Sequence, residues 1–192
     1  MRRVRRAGVV LASALALSGC TLVSTSSAPT LVDGNSVPLG LLSPTIPFTD
    51  YARVLFVSRD IYLVNKAQLV VPVSRLVTSP PSLFDVLHYV PVGPTVSEQL
   101  AGTTTQVPSA LVVNQATILN GIALVDVSAQ LAQIPPVARR IAVAQFLFTA
   151  VAMGATKGIE LSINQTPFFL TLATGARVAL VTPAELAYLK KD

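Results

Sequence analysis

The sequence predicts an α+β domain in which two helices pack on one face of a mixed β-sheet, in the order β-β-α-β-β-α-β. Three observations carry this. Short runs rich in β-branched and aromatic residues open and close residues 50–192. Asn120-Gly121, the strongest short hairpin signal, sits between two such runs. One segment, "VARRIAVAQFLFTAVAMG", is long and apolar enough for a buried helix and is ended by Gly154.

Taken in order, "ARVLFVS" has the composition of a strand, and "AQLVVPVSRLV" of a second in which Pro72 demands an edge or a bulge. In "PSLFDVLHYV", Leu83, Val86, Leu87 and Val90 recur at helical spacing, with Ser82 as N-cap and Asp85 three residues on. "SALVVNQATILNGIALVDVS" folds back on itself at the Asn-Gly turn, and after the long helix "GIELSIN" and "PFFLTLA" read as strands. Ile141 to Met153 is too short for a bilayer span and carries Gln145 and Thr149, which favours a core helix.

Ahead of this domain the chain reads as a secretory signal at residues 1–19. "MRRVRR" precedes an apolar and small-residue run from Ala7 to Leu17, too short to span a bilayer. Leu17-Ser18-Gly19-Cys20 resembles the bacterial lipobox, in which the cysteine sulfur receives a diacylglycerol and the signal is cut just before it. That reading makes Cys20 an acylated anchor, with palmitate-type chains, on the extracytoplasmic face of the cell membrane. Residues 20–49, rich in Ser, Thr, Pro and Gly, then form a flexible tether with a reach of roughly 30 Å.

Cleavage changes the charge balance. The full chain has 14 Lys+Arg against 9 Asp+Glu, but Arg2, Arg3, Arg5 and Arg6 leave with the signal. The remainder is close to neutral, without the clustered basic residues of a nucleic-acid binder. With the single cysteine acylated, no thiol is left for a disulfide or a metal.

As an ordered set, four segments of residues 53–192 resemble the GerMN domain of sporulation and germination lipoproteins, also found in actinobacterial lipoproteins. They are "VLFVSRDIYLVNKAQLVVPVSRLV", "GPTVSEQLAGTTTQVP", "NGIALVDVS" and "AVAQFLFTAV". The matching positions are Pro72, Arg75, Gly93, Pro94, Glu98, Gly102, Pro108, Asp126 and Gln145, each with a structural role to play. Pro94 restricts Gly93, which is suited to a left-handed cap. Arg75 has Glu98 or Asp126 as ion-pair partner, and Gln145 must find backbone partners or face solvent. Three places depart from the pattern: Thr103, the turn Asn164 to Thr166, and the stretch Thr182 to Tyr188, which lacks a basic residue. The resemblance implies a non-catalytic interaction or scaffold module for cell-envelope assembly or maintenance. It also implies kinship with ring-building domains, hence contact with an envelope protein or a second copy through sheet edges, "VVPVS" being one such edge.

Chemistry finds little purchase in the sequence. The only imidazole is His88, and a Ser82/Asp85/His88 cluster lies within about one helical turn, without a sharply turned nucleophile or an oxyanion site. One histidine and no free thiol do not make a zinc site, the carboxylates are scattered, and no phosphate-cradling glycine loop is present. We therefore expect no enzyme activity, cofactor or metal. The alternative is carriage of a lipid or other apolar ligand in a pocket between sheet and helices, lined by aromatics such as Phe146, Phe148, Phe168 and Phe169.

Overall fold

The computed structural model describes residues 55–191. The signal, Cys20, the tether and residues 50–54 lie outside them.

Strands β1 (Phe56–Val64) and β2 (Val70–Thr78) form an antiparallel pair running in unbroken register from Phe56 opposite Thr78 to Val64 opposite Val70. Asn65 organises their connection: its Oδ1 accepts from the Ala67 N–H at 2.9 Å and the Leu69 N–H at 3.1 Å, the local competition with ladder bonding that makes Asn a turn former. Pro72 sits opposite Tyr62 without a bulge. The backbone N–H and C=O of Tyr62 both go to side chains of the long helix, away from β2. Tyr62–Pro72 is thus a non-hydrogen-bonded pair, and the missing proline N–H falls on the outer edge, where it costs the ladder nothing.

The predicted first helix is interrupted at His88, giving α1 (Leu83–Leu87) and α2 (Tyr89–Val92). Helix α3 (Val96–Ala101) follows where sequence reasoning placed only a loop. None of its residues is buried, and Val96 and Leu100 point to solvent, so it has no apolar periodicity to announce it. Its capping box, Thr95 with Glu98, was the one visible sign.

β3 (Val113–Leu119) and β4 (Ile122–Val127) make the hairpin expected at Asn120-Gly121, both turn residues at positive φ, as a type I′ turn requires. Helices α4 (Gln130–Gln133) and α5 (Pro136–Ala152) then cross over, and β5 (Gly158–Ile163) lies parallel to β4. β6 (Thr166–Phe168) folds back antiparallel on β5, and β9 (Leu180–Val181) pairs antiparallel with the start of β5. The result is a mixed sheet in the order β3-β4-β5-β6, with β9 beside β6 on the same edge of β5.

Two details of strand pairing differ from the sequence-based expectation. The opening β1–β2 hairpin is a separate two-stranded sheet, joined to the rest by packing on α5 and by two isolated bridges, Val64 to Thr104 and Val70 to Lys190. "PFFLTLA" is divided between β6 and β7 (Leu170–Thr171), the latter pairing with β8 (Arg177–Val178). Positions 141 to 150 of α5 are all buried, because the helix is packed against the hairpin as well as against β5. Such a helix reads as apolar all round. No helix among the described residues is long and apolar enough to cross a membrane.

Candidate functional site

The nine motif positions fall into three polar clusters and a few backbone positions. In the first cluster Arg75, half-buried on β2, meets Glu98 of α3 in a two-pronged ion pair, Nη1 to Oε1 and Nη2 to Oε2, both 2.7 Å. The same Nη2 donates to the Gly93 carbonyl at 3.2 Å. Glu98 Oε2 also accepts from the Thr95 N–H at 2.8 Å, so one carboxylate closes a capping box and an ion pair at once. The Arg75 guanidinium, aided by the Thr95 contacts, pulls the Glu98 carboxyl down to about 2 against the opposing effect of burial.

Glycine is required at both ends of this segment. Gly93 (φ 77°, ψ −160°) occupies a region open essentially to glycine alone, and not the left-handed helical cap expected for it. Gly102 does take the left-handed cap, and the Lys66 side chain lies where a Cβ would stand. Thr103 then donates to the Glu98 carbonyl at 2.8 Å, sealing the helix end. Pro94 accepts from Gln99 Nε2 at 3.1 Å, and the Pro108 carbonyl accepts from the Leu111 N–H at 2.9 Å.

The second cluster surrounds Gln145, which is fully buried. Its Nε2 donates to the Tyr62 carbonyl at 3.1 Å, and its Oε1 accepts from the Gln106 N–H at 2.9 Å. One turn on, Thr149 Oγ1 accepts from the Tyr62 N–H at 2.9 Å and donates to the Gln145 carbonyl at 2.7 Å. Helix α5 thereby supplies the ladder partners that β1 lacks on this side. From sequence, Thr149 counted only with Gln145 as evidence against a membrane span, although a lone polar pair at i and i+4 on an apolar helix is also a legible sign of a shared polar contact.

The third cluster is Asp126 on β4. Oδ1 accepts from Ser162 Oγ at 2.6 Å and from the Gln165 N–H at 2.7 Å, while Oδ2 accepts from Asn114 Nδ2 at 2.8 Å. Burial pushes this carboxyl up, but the three hydrogen bonds outweigh it and hold the acid below its usual range. Asp126 therefore ties β3, β4 and the β5–β6 turn together, and Arg75 pairs with Glu98. The turn residues Asn164 and Gln165 both have positive φ, a conformation that the Asp126 contact to Gln165 helps to hold.

The Ser82/Asp85/His88 group resolves into a helix cap. Ser82 Oγ and its N–H reach Asp85 Oδ2 at 2.6 and 2.9 Å, and the Asp85 N–H returns to Ser82 Oγ at 3.2 Å. His88 hydrogen-bonds to neither by its ring and stacks loosely on Phe84, with ring centres 6.5 Å apart. Among the described residues no group of three or more His, Cys, Asp or Glu is arranged to hold a metal. Surface depressions of about 260, 430 and 410 Å³ lie on the open sheet face by Thr117 and Asp126, between β2 and α1 by Val77 and Phe84, and beside Tyr62 and Lys190. Of the aromatics named for a ligand pocket, Phe146 and Phe148 are buried in the core, whereas Phe169 is exposed.

Two solved structures are similar to this arrangement. The tandem GerMN domains of the sporulation protein GerM from Bacillus subtilis match with a TM-score of 0.50 and 21% identity over 67% of this chain. The first GerMN domain of the same protein matches with a TM-score of 0.50 and 18% identity, covering 67% of this chain and 98% of that domain. The described residues therefore form a GerMN-like α+β domain, as the sequence motifs implied. The chain spans about half, 47%, of the tandem-domain protein. No protein-family model and no curated protein matches it.

Proposed function

We propose that this protein is a lipid-anchored, non-catalytic module of the bacterial cell envelope that acts by contact on the extracytoplasmic side of the membrane. The observation that carries this reading is where the polar side chains go. Arg75, Glu98, Asp126, Gln145, Ser82 and Asp85 each satisfy another part of the same domain, which supports a motif that maintains the fold. The lipobox-like Leu17-Ser18-Gly19-Cys20 supports the anchor. The similar structures come from a sporulation protein, which supports an envelope process of that kind for a GerMN-like domain.

Labelled palmitate should enter the parent chain and not Cys20→Ser, which should also leave the membrane fraction. Pull-down of the anchored protein from detergent-solubilised envelope should return a reproducible partner or the protein itself. A Cys20→Ser chain that stays membrane-bound and correctly processed, or an empty pull-down with only monomer present, would sink the reading. The carrier alternative requires lipid to co-purify, and it has less support because Phe146, Leu147 and Phe148 fill the space between α5 and the strands.

A further inference from the structure

We infer that the outer edge of β3 is a self-pairing seam through which two copies of this chain join their sheets about a two-fold axis at Thr117. The type I′ turn fixes the hydrogen-bonding phase of the hairpin. Leu119–Ile122, Thr117–Leu124 and Gln115–Asp126 are the bonded pairs, so the N–H and C=O groups of Ala116 and Ile118 point outward. They have no partner among the described residues. The burial pattern agrees: Ala123 and Val125 are buried on the core face, yet Ile118 and Ala116, directly opposite them on the same face, are partly exposed.

Among the described edge strands of three or more residues, this one is also left unguarded. β1 carries Arg59 and Asp60, β2 carries Pro72 and Arg75, and β6 is three residues long with Pro167. On β2, the edge singled out from sequence, Pro72 offers no N–H and the Val70 carbonyl is already taken by the Lys191 N–H at 3.1 Å. β3, "VNQATIL", is seven residues without a charge or a proline. Such devices are how edges are normally kept from pairing.

The occupant follows from the register. An antiparallel copy centred on Thr117 sets Ala116 against Ile118 of the second copy, and the reverse, forming four backbone hydrogen bonds. Thr117 meets its own counterpart as a non-hydrogen-bonded pair on the open face, a favourable Thr–Thr contact, and no like charges meet along the strand. A seam of one strand from each copy falls below the ~1,200 Å² of a stable interface. The association is therefore weak in free solution and is promoted by confinement on a membrane. Only that promotion rests on the anchor proposed above.

The test uses the full chain carrying Cys20→Ser, so that an introduced thiol is the only one. Across the seam, two non-hydrogen-bonded Cα atoms stand about 4.5 Å apart, within disulfide reach. Thr117→Cys should therefore give a disulfide-linked dimer on mild oxidation. Leu124→Cys, on the same face but about 14 Å from its counterpart, should not. Thr117→Lys, at an exposed position, should keep the parent's circular dichroism and weaken concentration-dependent dimerisation tenfold or more. Ala116→Pro, which removes an outward N–H and no bond to β4, should do the same. Thr117→Cys crosslinking no faster than Leu124→Cys, Thr117→Lys dimerising like the parent, or Thr117→Cys joining a different polypeptide would each overturn the inference. Partners recovered by pull-down in those cases would leave the contact-module reading standing.

Discussion

The clusters at Gln145 and Asp126 do the same job by different means. Each joins segments remote in sequence, Gln145 linking α5 to β1 and the loop at Gln106, and Asp126 linking β4 to β3 and the β5–β6 turn. Gln145 is sealed completely, whereas Asp126 is 9% exposed, at the margin of the open face. A neutral amide that donates and accepts can be closed off from water once both ends are met. A carboxylate is far more costly to desolvate and is placed where some solvent remains and three donors converge. The domain thus keeps its charge, at Asp126 and in the Arg75–Glu98 pair, out of its fully dry interior. Acid sensitivity is confined to the margins.

Breaking the dry cluster should cost most. Gln145→Leu leaves the Tyr62 carbonyl and the Gln106 N–H without partners, and we expect about 3 kcal/mol lower stability in urea unfolding, at roughly 1–3 kcal/mol per orphaned group. Next comes Asp126→Asn, which keeps the shape but turns an amide N–H₂ toward donors. It should cost about 2 kcal/mol and loosen the β5–β6 turn in hydrogen exchange. Protonation probes the same contrast. Glu98 sits at about 2 in the fold against 4.5 when free, and Asp126 is also depressed. A depressed folded acid contributes stability above its free value and loses it as pH falls toward its folded value. Stability should therefore decline from about pH 5 downward. Glu98→Gln should flatten part of that slope at a cost of about 1 kcal/mol at neutral pH, because the pair is partly solvated. In Gln145→Leu the slope should be unchanged. The smallest effect belongs to Arg75→Lys, which keeps the charge but loses the fork geometry, and it should cost under about 1 kcal/mol.

Much of this architecture was legible before the structure. The Asn-Gly hairpin, the buried helix and the Ser82/Asp85 cap follow from local periodicity and turn chemistry, and the GerMN resemblance rests on four motif segments in order. α3 was missed because an exposed six-residue helix has no apolar stripe. The Ser82/Asp85/His88 cluster could be drawn from sequence and set aside as chemistry, but spacing gives proximity and not bonding, so that the His88 ring takes no part in the cap came from the structure. For Arg75, the choice between Glu98 and Asp126 stayed open because both lie far along the chain.

By itself the sequence determined the opening strand pair, the Asn-Gly hairpin, the long helix and the neutrality of β3, since these depend on residues within a few positions of one another. Only the tertiary structure decided that the first hairpin stands as its own sheet, that Tyr62 takes both its backbone partners from α5, and that Asp126 belongs to Ser162 and Gln165. Those outcomes depend on which polar groups are left without water once the chain has closed, and no local pattern records that.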